Sequence, residues 1–194
     1  MMFEYPFKDS KFRIRDFSGA SSDKQGGGNQ GGGSQVTGAF DFANIGAYEG
    51  AKMVFNKVTK WGKFKLPVNE FGNFSFDDPK EVQGKVTRYQ YTTAPENNPE
   101  YLMMKSKPNF VNKGFKLLVD RDNDNLKSTT FRDGYMHKFD NKRFGAKYVH
   151  YRWNKNFNNA YMLYKGTSGG KTIYISVWFL AGDKKTVITQ DVVE

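Results

Sequence analysis

Residues 19–38 (GASSDKQGGGNQGGGSQVTG) constrain this chain more than any other stretch: eight of the twenty are glycine and none is a large aromatic. Such a segment cannot bury enough apolar surface to offset the entropy lost on ordering. Its composition predicts a flexible linker, which at ~5–6 Å × √n reaches about 25 Å on average. The linker divides the 194-residue chain into an N-terminal arm, 1–18, and a single domain, 39–194. The arm keeps Phe3, Tyr5, Phe7, Phe12, Ile14 and Phe17 beyond the tether. It therefore carries apolar surface that needs a socket, on its own domain or on a neighbouring copy.

A domain of this size can bury roughly 70% of the surface its unfolded form exposes, so it needs no staple. There are no cysteines, which excludes a disulfide scaffold, cysteine zinc sites, iron–sulfur ligation and thiol catalysis. No apolar run approaches the ~20 residues a bilayer requires, and mean hydropathy is −0.73. The opening MMFEYPFKDSKF lacks the unbroken apolar stretch of a secretory signal. These features predict a chain with no secretion signal and no membrane partner.

The domain reads as mainly β, an antiparallel sandwich or jelly roll with one helix and the extended N-terminal arm. The helix candidate is 44–62 (NIGAYEGAKMVFNKVTKWG), where Ala51, Val54, Phe55 and Val58 recur at i, i+3, i+4 and i+7. Asn44 suits an N-cap and Gly62 a C′ position, although Gly46 and Gly50 weaken a helix by ~1 kcal/mol each. A strand from Met53 onward fits the same residues. KFKLPV, FGNFSF and KVTRYQY read as short strands, and 93–109 as a long loop punctuated by Pro95, Pro99 and Pro108. FKLLV, KYVHYRW, AYMLY, TIYISVWFL and TVITQDVV complete the strands, with TIYISVWFL apolar on both faces as a central strand should be.

Charge separates the function classes. The net charge is +10, and residues 85–194, with nineteen basic and ten acidic groups, carry nearly all of it. A basic surplus favours polyanions or acidic partners and says little about fold. Within 137–171, Lys138, Lys142, Arg143, Lys147, Arg152 and Lys155 alternate with aromatic rings, Tyr148 among them. Cations that track phosphates beside rings that stack bases are what single-stranded nucleic acid needs. A sheet whose rings are core and whose lysines form a solvated face explains the same pattern.

Asp120, Asp122 and Asp124 stand at alternate positions of a polar turn, the spacing with which carboxylates grip calcium. The sixth and twelfth positions of an EF-hand loop would be Asn125 and Phe131, so that motif fails. What remains is a looser calcium site or an ordinary turn, where Asp and Asn are expected; no other cofactor is implied. Nucleophile-elbow, zincin, phosphate-loop and dinucleotide motifs are missing from the sequence, so no enzyme is expected.

The last eighty residues, FKLLVDRDNDN through HKFDNKRFGAKYVHYRW, NNAYMLY and KTIYISVWFLAG, resemble the final strands of single jelly-roll capsid proteins of small viruses. A flexible arm also belongs to that family. Its arms are often dense in arginine, whereas residues 1–38 are only +1, with five basic and four acidic groups. The resemblance implies a non-enzymatic structural protein of a virus or phage particle, whose partners are other copies of itself, other particle proteins and nucleic acid. It places the protein in the virion or in the cytoplasm of an infected cell. The alternative is a single-strand nucleic-acid-binding module built on a basic aromatic β-face. On the assembly reading, deleting residues 1–38 leaves the domain folded and abolishes large assemblies in light scattering; particles that persist would refute the role of the arm.

Overall fold

A computed structural model of the chain describes residues 40–68, 78–122, 131–147 and 158–194. The arm, the linker, FGNFSF, Asp124, Tyr148, His150, Arg152 and Lys155 lie outside these residues. The elements run β1 (Lys52–Leu66), β2 (Lys80–Thr93), α1 (Pro99–Val111), β3 (Lys116–Arg121), a π-helical turn (Asp133–Lys138), a 3-10 turn (Asn141–Phe144), β4 (Asn159–Ser168), β5 (Lys171–Ala181) and β6 (Thr186–Val193). The expected mainly β, antiparallel architecture with one substantial helix is present. All six strands form one continuous sheet in the order β1-β2-β6-β5-β4-β3. The layer that facing strands supply in a sandwich is supplied here by helical and turn segments on both sides. Among the described residues no helix is long and apolar enough to cross a membrane.

The topology follows from the turns. Gly169 and Gly170 both have positive φ, 56° and 75°, as a two-residue hairpin demands, so β4 folds directly onto β5 with Ser168 opposite Lys171. β5 returns into β6, and β6 closes the sheet against β2, Val86 opposite Val193. Between β2 and β3, α1 crosses one face from the β2 side to the far edge.

Strand alternation divides the core in two. Ile173, Ile175, Val177 and Phe179 of β5 face one side with Ile188 and Val192 of β6, covered by Leu102, Met103 and Phe110 of α1 and by Ile45 and Tyr48. Phe110 stacks on Tyr164 at 4.5 Å. Trp178 and Leu180 face the other side with Tyr161 and Leu163, covered by Phe131, Tyr135, Met136, Phe139 and Phe144.

Two expectations are corrected. Residues 44–62 are not helical: Gly50 adopts φ 63°, and Lys52–Leu66 pairs along β2 from Lys52↔Thr92 to Leu66↔Lys80. The i, i+3, i+4 spacing was a coincidence that β-branched Val54, Val58 and Thr59 and a long partner strand override. The strand alternative from Met53 is the one realised. Residues 93–109 are not a loop throughout, because α1 begins at Pro99, where a proline is tolerated. Asn98 caps it, its side chain accepting from the Glu100 N–H at 2.8 Å. Pro108 lies within the last turn of α1, so it breaks little.

The chain's last residue is woven into this sheet: the Glu194 N–H donates to the Lys85 carbonyl and the Lys85 N–H to the Glu194 carbonyl, both at 2.9 Å. A Cβ on Gly84 would collide with that same Glu194 carbonyl oxygen. Gly84→Ala is expected to cost about 1–3 kcal/mol, read as a lower denaturant midpoint with unchanged slope.

Candidate functional site

Among the described residues, polar chemistry gathers in a sealed place and in an open one. The sealed one is a row across the sheet, since the register sets Asp191 of β6 beside both Arg88 of β2 and Ser176 of β5. Arg88 Nε donates to Asp191 Oδ1 at 2.6 Å and its Nη2 to Oδ2 at 2.9 Å, a two-pronged pair. Arg88 Nη1 donates to the carbonyls of Asn141, 3.0 Å, and Gly145, 2.9 Å. The Tyr135 hydroxyl donates to Asp191 Oδ2 at 2.6 Å and lies 2.8 Å from Ser176 Oγ.

Burial opposes the charge on Arg88, but Asp191, by attraction and hydrogen bonding, and then Tyr135 outweigh it and lift the guanidinium above its ordinary pKa. Burial, then the Asp191 charge, push the Tyr135 hydroxyl well above its usual value, so it remains a donor. Serine, tyrosine, carboxylate and guanidinium in contact would suggest catalysis in a cleft. Arg88, Asp191, Tyr135 and Ser176 are all buried, and with the Asn141 and Gly145 carbonyls they satisfy one another, so the row joins the sheet to the segments that cover it.

The open place is a shallow groove of about 570 Å³ between β1 and the 3-10 turn. Lys57, Trp61 and Lys63 line one wall, Arg143 and Phe144 the other. β1 is an edge strand with five lysines and no acid. Between Thr59↔Val86 and Gly62↔Gly84 its register slips, and this bulge turns Lys60 and Trp61 outward, as bulges do. Trp61 is 61% exposed and Val58 54%, unusual for large apolar side chains lying together on a strand. A side chain at Gly62 would meet the Phe144 ring at 2.9 Å, so glycine there lets Phe144 form the floor.

Arg143 lies over the Phe144 ring at 5.0 Å, and a guanidinium nitrogen donates to the Lys63 carbonyl. Lys57 Nζ is 3.5 Å from the Arg143 carbonyl oxygen. Two carboxylates partly offset the charge: Glu81, 3.5 Å from Lys63, and Asp140, 3.7 Å from Arg143. Both pairs are solvent-exposed, where such bridges contribute about 0–1 kcal/mol, so an arriving phosphate can compete.

Of the residues the sequence singled out, Lys138, Lys142, Arg143 and Lys147 are exposed on one stretch of turns, and Arg143 enters the groove. The Lys147 backbone N–H is anchored to Gln90 Oε1 at 2.7 Å. The cations of β1 were missed because a helix over 44–62 ends before Lys63 and so separates it from Lys57 and Lys60. The interleaved KVTKWGKFK was the available signal. Asp120, near the end of β3, is in an ion pair with Lys107, a charge opposite to what a calcium site needs beside a ligand. Among the described residues no cluster of three or more His, Asp or Glu side chains could hold a metal.

No protein-family model matches this chain, and no curated protein matches it.

Burial also raises the hydroxyls of Tyr48 and Tyr161 well above their usual value. A raised folded-state pKa contributes stability that is complete below about pH 10, the unfolded value, and is lost as pH rises above it. The denaturant midpoint should therefore fall above about pH 10, and ultraviolet titration should show these tyrosines ionising only as the chain unfolds.

Proposed function

We propose that this protein is a non-catalytic nucleic-acid-binding module that holds single strands in the groove between β1 and the 3-10 turn. The observation that carries this reading is Trp61, an indole 61% exposed on a bulged strand, with Lys57, Lys63 and Arg143 around it. An indole face offers stacking worth ~1–3 kcal/mol per base and is available only to a base outside a duplex. The cations sit where a backbone crossing the ring would place its phosphates. Lys57 and Lys63 are separated by about 20 Å of strand at ~3.4 Å per residue, a span for a few nucleotides.

The same edge supports this use over pairing between copies. Two β1 strands laid together would set five lysines against five, and lysine on an edge is a common guard against such pairing. The assembly role expected of the arm depends on residues 1–18, outside the described residues, and is compatible with a nucleic-acid-binding domain.

The test is a salt titration of binding to a fluorescent oligothymidylate. Three phosphate contacts predict a log–log slope of about −2, and Trp61→Ala should weaken binding by ~1–3 kcal/mol while leaving the circular dichroism spectrum unchanged. A wild-type protein that binds no oligonucleotide at low salt would refute the proposal.

A further inference from the structure

The buried row and the open groove share one segment. Arg88, wholly buried in the sheet, grips the carbonyls on both flanks of the 3-10 turn, Asn141 at 3.0 Å and Gly145 at 2.9 Å. That turn carries Lys142, Arg143 and Phe144. Its other ties are the Asn141 Nδ2 donation to the Lys65 carbonyl at 2.9 Å, that of Arg143 to the Lys63 carbonyl, and the buried Phe144 ring, 5.2 Å from that of Phe64; none of these holds the carbonyls at both ends of the turn. Asp140, which precedes the turn, has φ 56°, and Gly145, which follows it, has φ 81°. At Asp140 this is the left-handed conformation, costly for a non-glycine residue and held by its surroundings; at Gly145 it is one that glycine adopts freely.

We propose that the Arg88–Asp191 pair is a latch whose role is to position Arg143 over the groove, making Arg88 a positioning residue for phosphate binding. This inference rests on the nucleic-acid reading above. An ion pair of this kind is a poor source of net stability, since well-packed apolar residues of similar volume often do as well. What apolar residues cannot do is hold two backbone carbonyls at fixed points. With the latch, Arg143 meets a ligand already oriented, and little is lost in ordering it. Without it, the turn keeps its composition and net charge but loses its anchor.

Removing one partner alone would strand the other's charge in the core, so the experiment replaces both. Arg88→Met with Asp191→Leu avoids a stranded charge but leaves the Tyr135 hydroxyl and the Asn141 and Gly145 carbonyls without these partners, so it is expected to fold with a lowered melting temperature. Its affinity for oligothymidylate should fall about tenfold, the loss of one charge-assisted contact, and its log–log salt slope should shrink by about 0.7. Arg143→Ala should weaken the wild type by a similar factor and the double variant hardly at all, the non-additivity of residues that act as one unit. If Arg143→Ala is equally costly in both backgrounds, the latch is refuted while the groove stands.

Arg88→Lys serves where the apolar pair does not fold. It keeps the charge paired but cannot span Asp191 and both carbonyls, and the same cycle with Arg143→Ala applies. Hydrogen exchange on the wild type needs neither a variant nor a ligand. The amides of Arg143 and Gly145, bonded to the carbonyls of Asp140 and Lys142, should open only with global unfolding. Exchange there at free-loop rates would overturn the latch. Absence of wild-type binding would overturn the nucleic-acid reading instead.

Discussion

A charged residue pair stands buried in the middle of the sheet, and the turns that cover that face are arranged around it. Arg88 and Asp191 occupy neighbouring register positions on β2 and β6, both fully buried. A buried charge is tolerable only if paired and its remaining hydrogen-bonding capacity is used. Asp191 takes the hydroxyl of Tyr135, and Arg88 takes the carbonyls of Asn141 and Gly145. The layer over this face therefore has to offer backbone oxygens and a tyrosine hydroxyl. The π-helical turn supplies the hydroxyl, and the first residue of the 3-10 turn and the glycine that follows it supply the carbonyls, whereas a strand in a second sheet would have committed its carbonyls to its neighbours.

The opposite face solves a simpler problem. α1 lays Leu102, Met103 and Phe110 on an apolar surface, and Gln190 is the main polar exception. Its Oε1 accepts from the Tyr48 hydroxyl and its Nε2 donates to the Phe42 carbonyl, both at 2.6 Å. Here too a polar side chain on β6 fastens a segment that has no regular structure of its own, residues 40–50. β6 is buried along its whole length, yet Gln190 and Asp191 make it a source of ties to both covering layers. The groove is a consequence of this design. The segment that must reach Arg88 also carries Arg143 and Phe144, and it arrives beside a lysine-rich edge strand that has a tryptophan on its bulge.

How much of this was legible depends on how local the deciding contacts are. β4, β5 and the Gly169–Gly170 turn were readable because their pattern and hairpin chemistry lie within a few residues. α1 was obscured by three prolines, although Pro99 stands where a helix accepts one and Asn98 is a recognisable cap. β1 was obscured by an accidental helical spacing, and only its long pairing with β2 decided otherwise. Of the site, the cations from Lys138 to Lys147 were visible as a basic run, and Arg143 belongs to the groove. Lys57, Trp61 and Lys63 were not linked to it, because about eighty residues separate Lys63 from Arg143.

The sequence by itself determined the class of the fold, the absence of thiol and disulfide chemistry and the surplus of positive charge, because composition and short-range periodicity set those without reference to partners. Tertiary structure alone decided that the strands make one sheet with two covered faces, that Asp191 is paired and not a free carboxylate, and that one basic turn meets one basic strand. Each of those depends on contacts between residues that only the folded backbone brings together: Arg88 lies 103 positions from Asp191, and Tyr48 lies 142 from Gln190. Whether a polar side chain ends up in water or in a core is set by the partner it finds, and that partner is not written beside it.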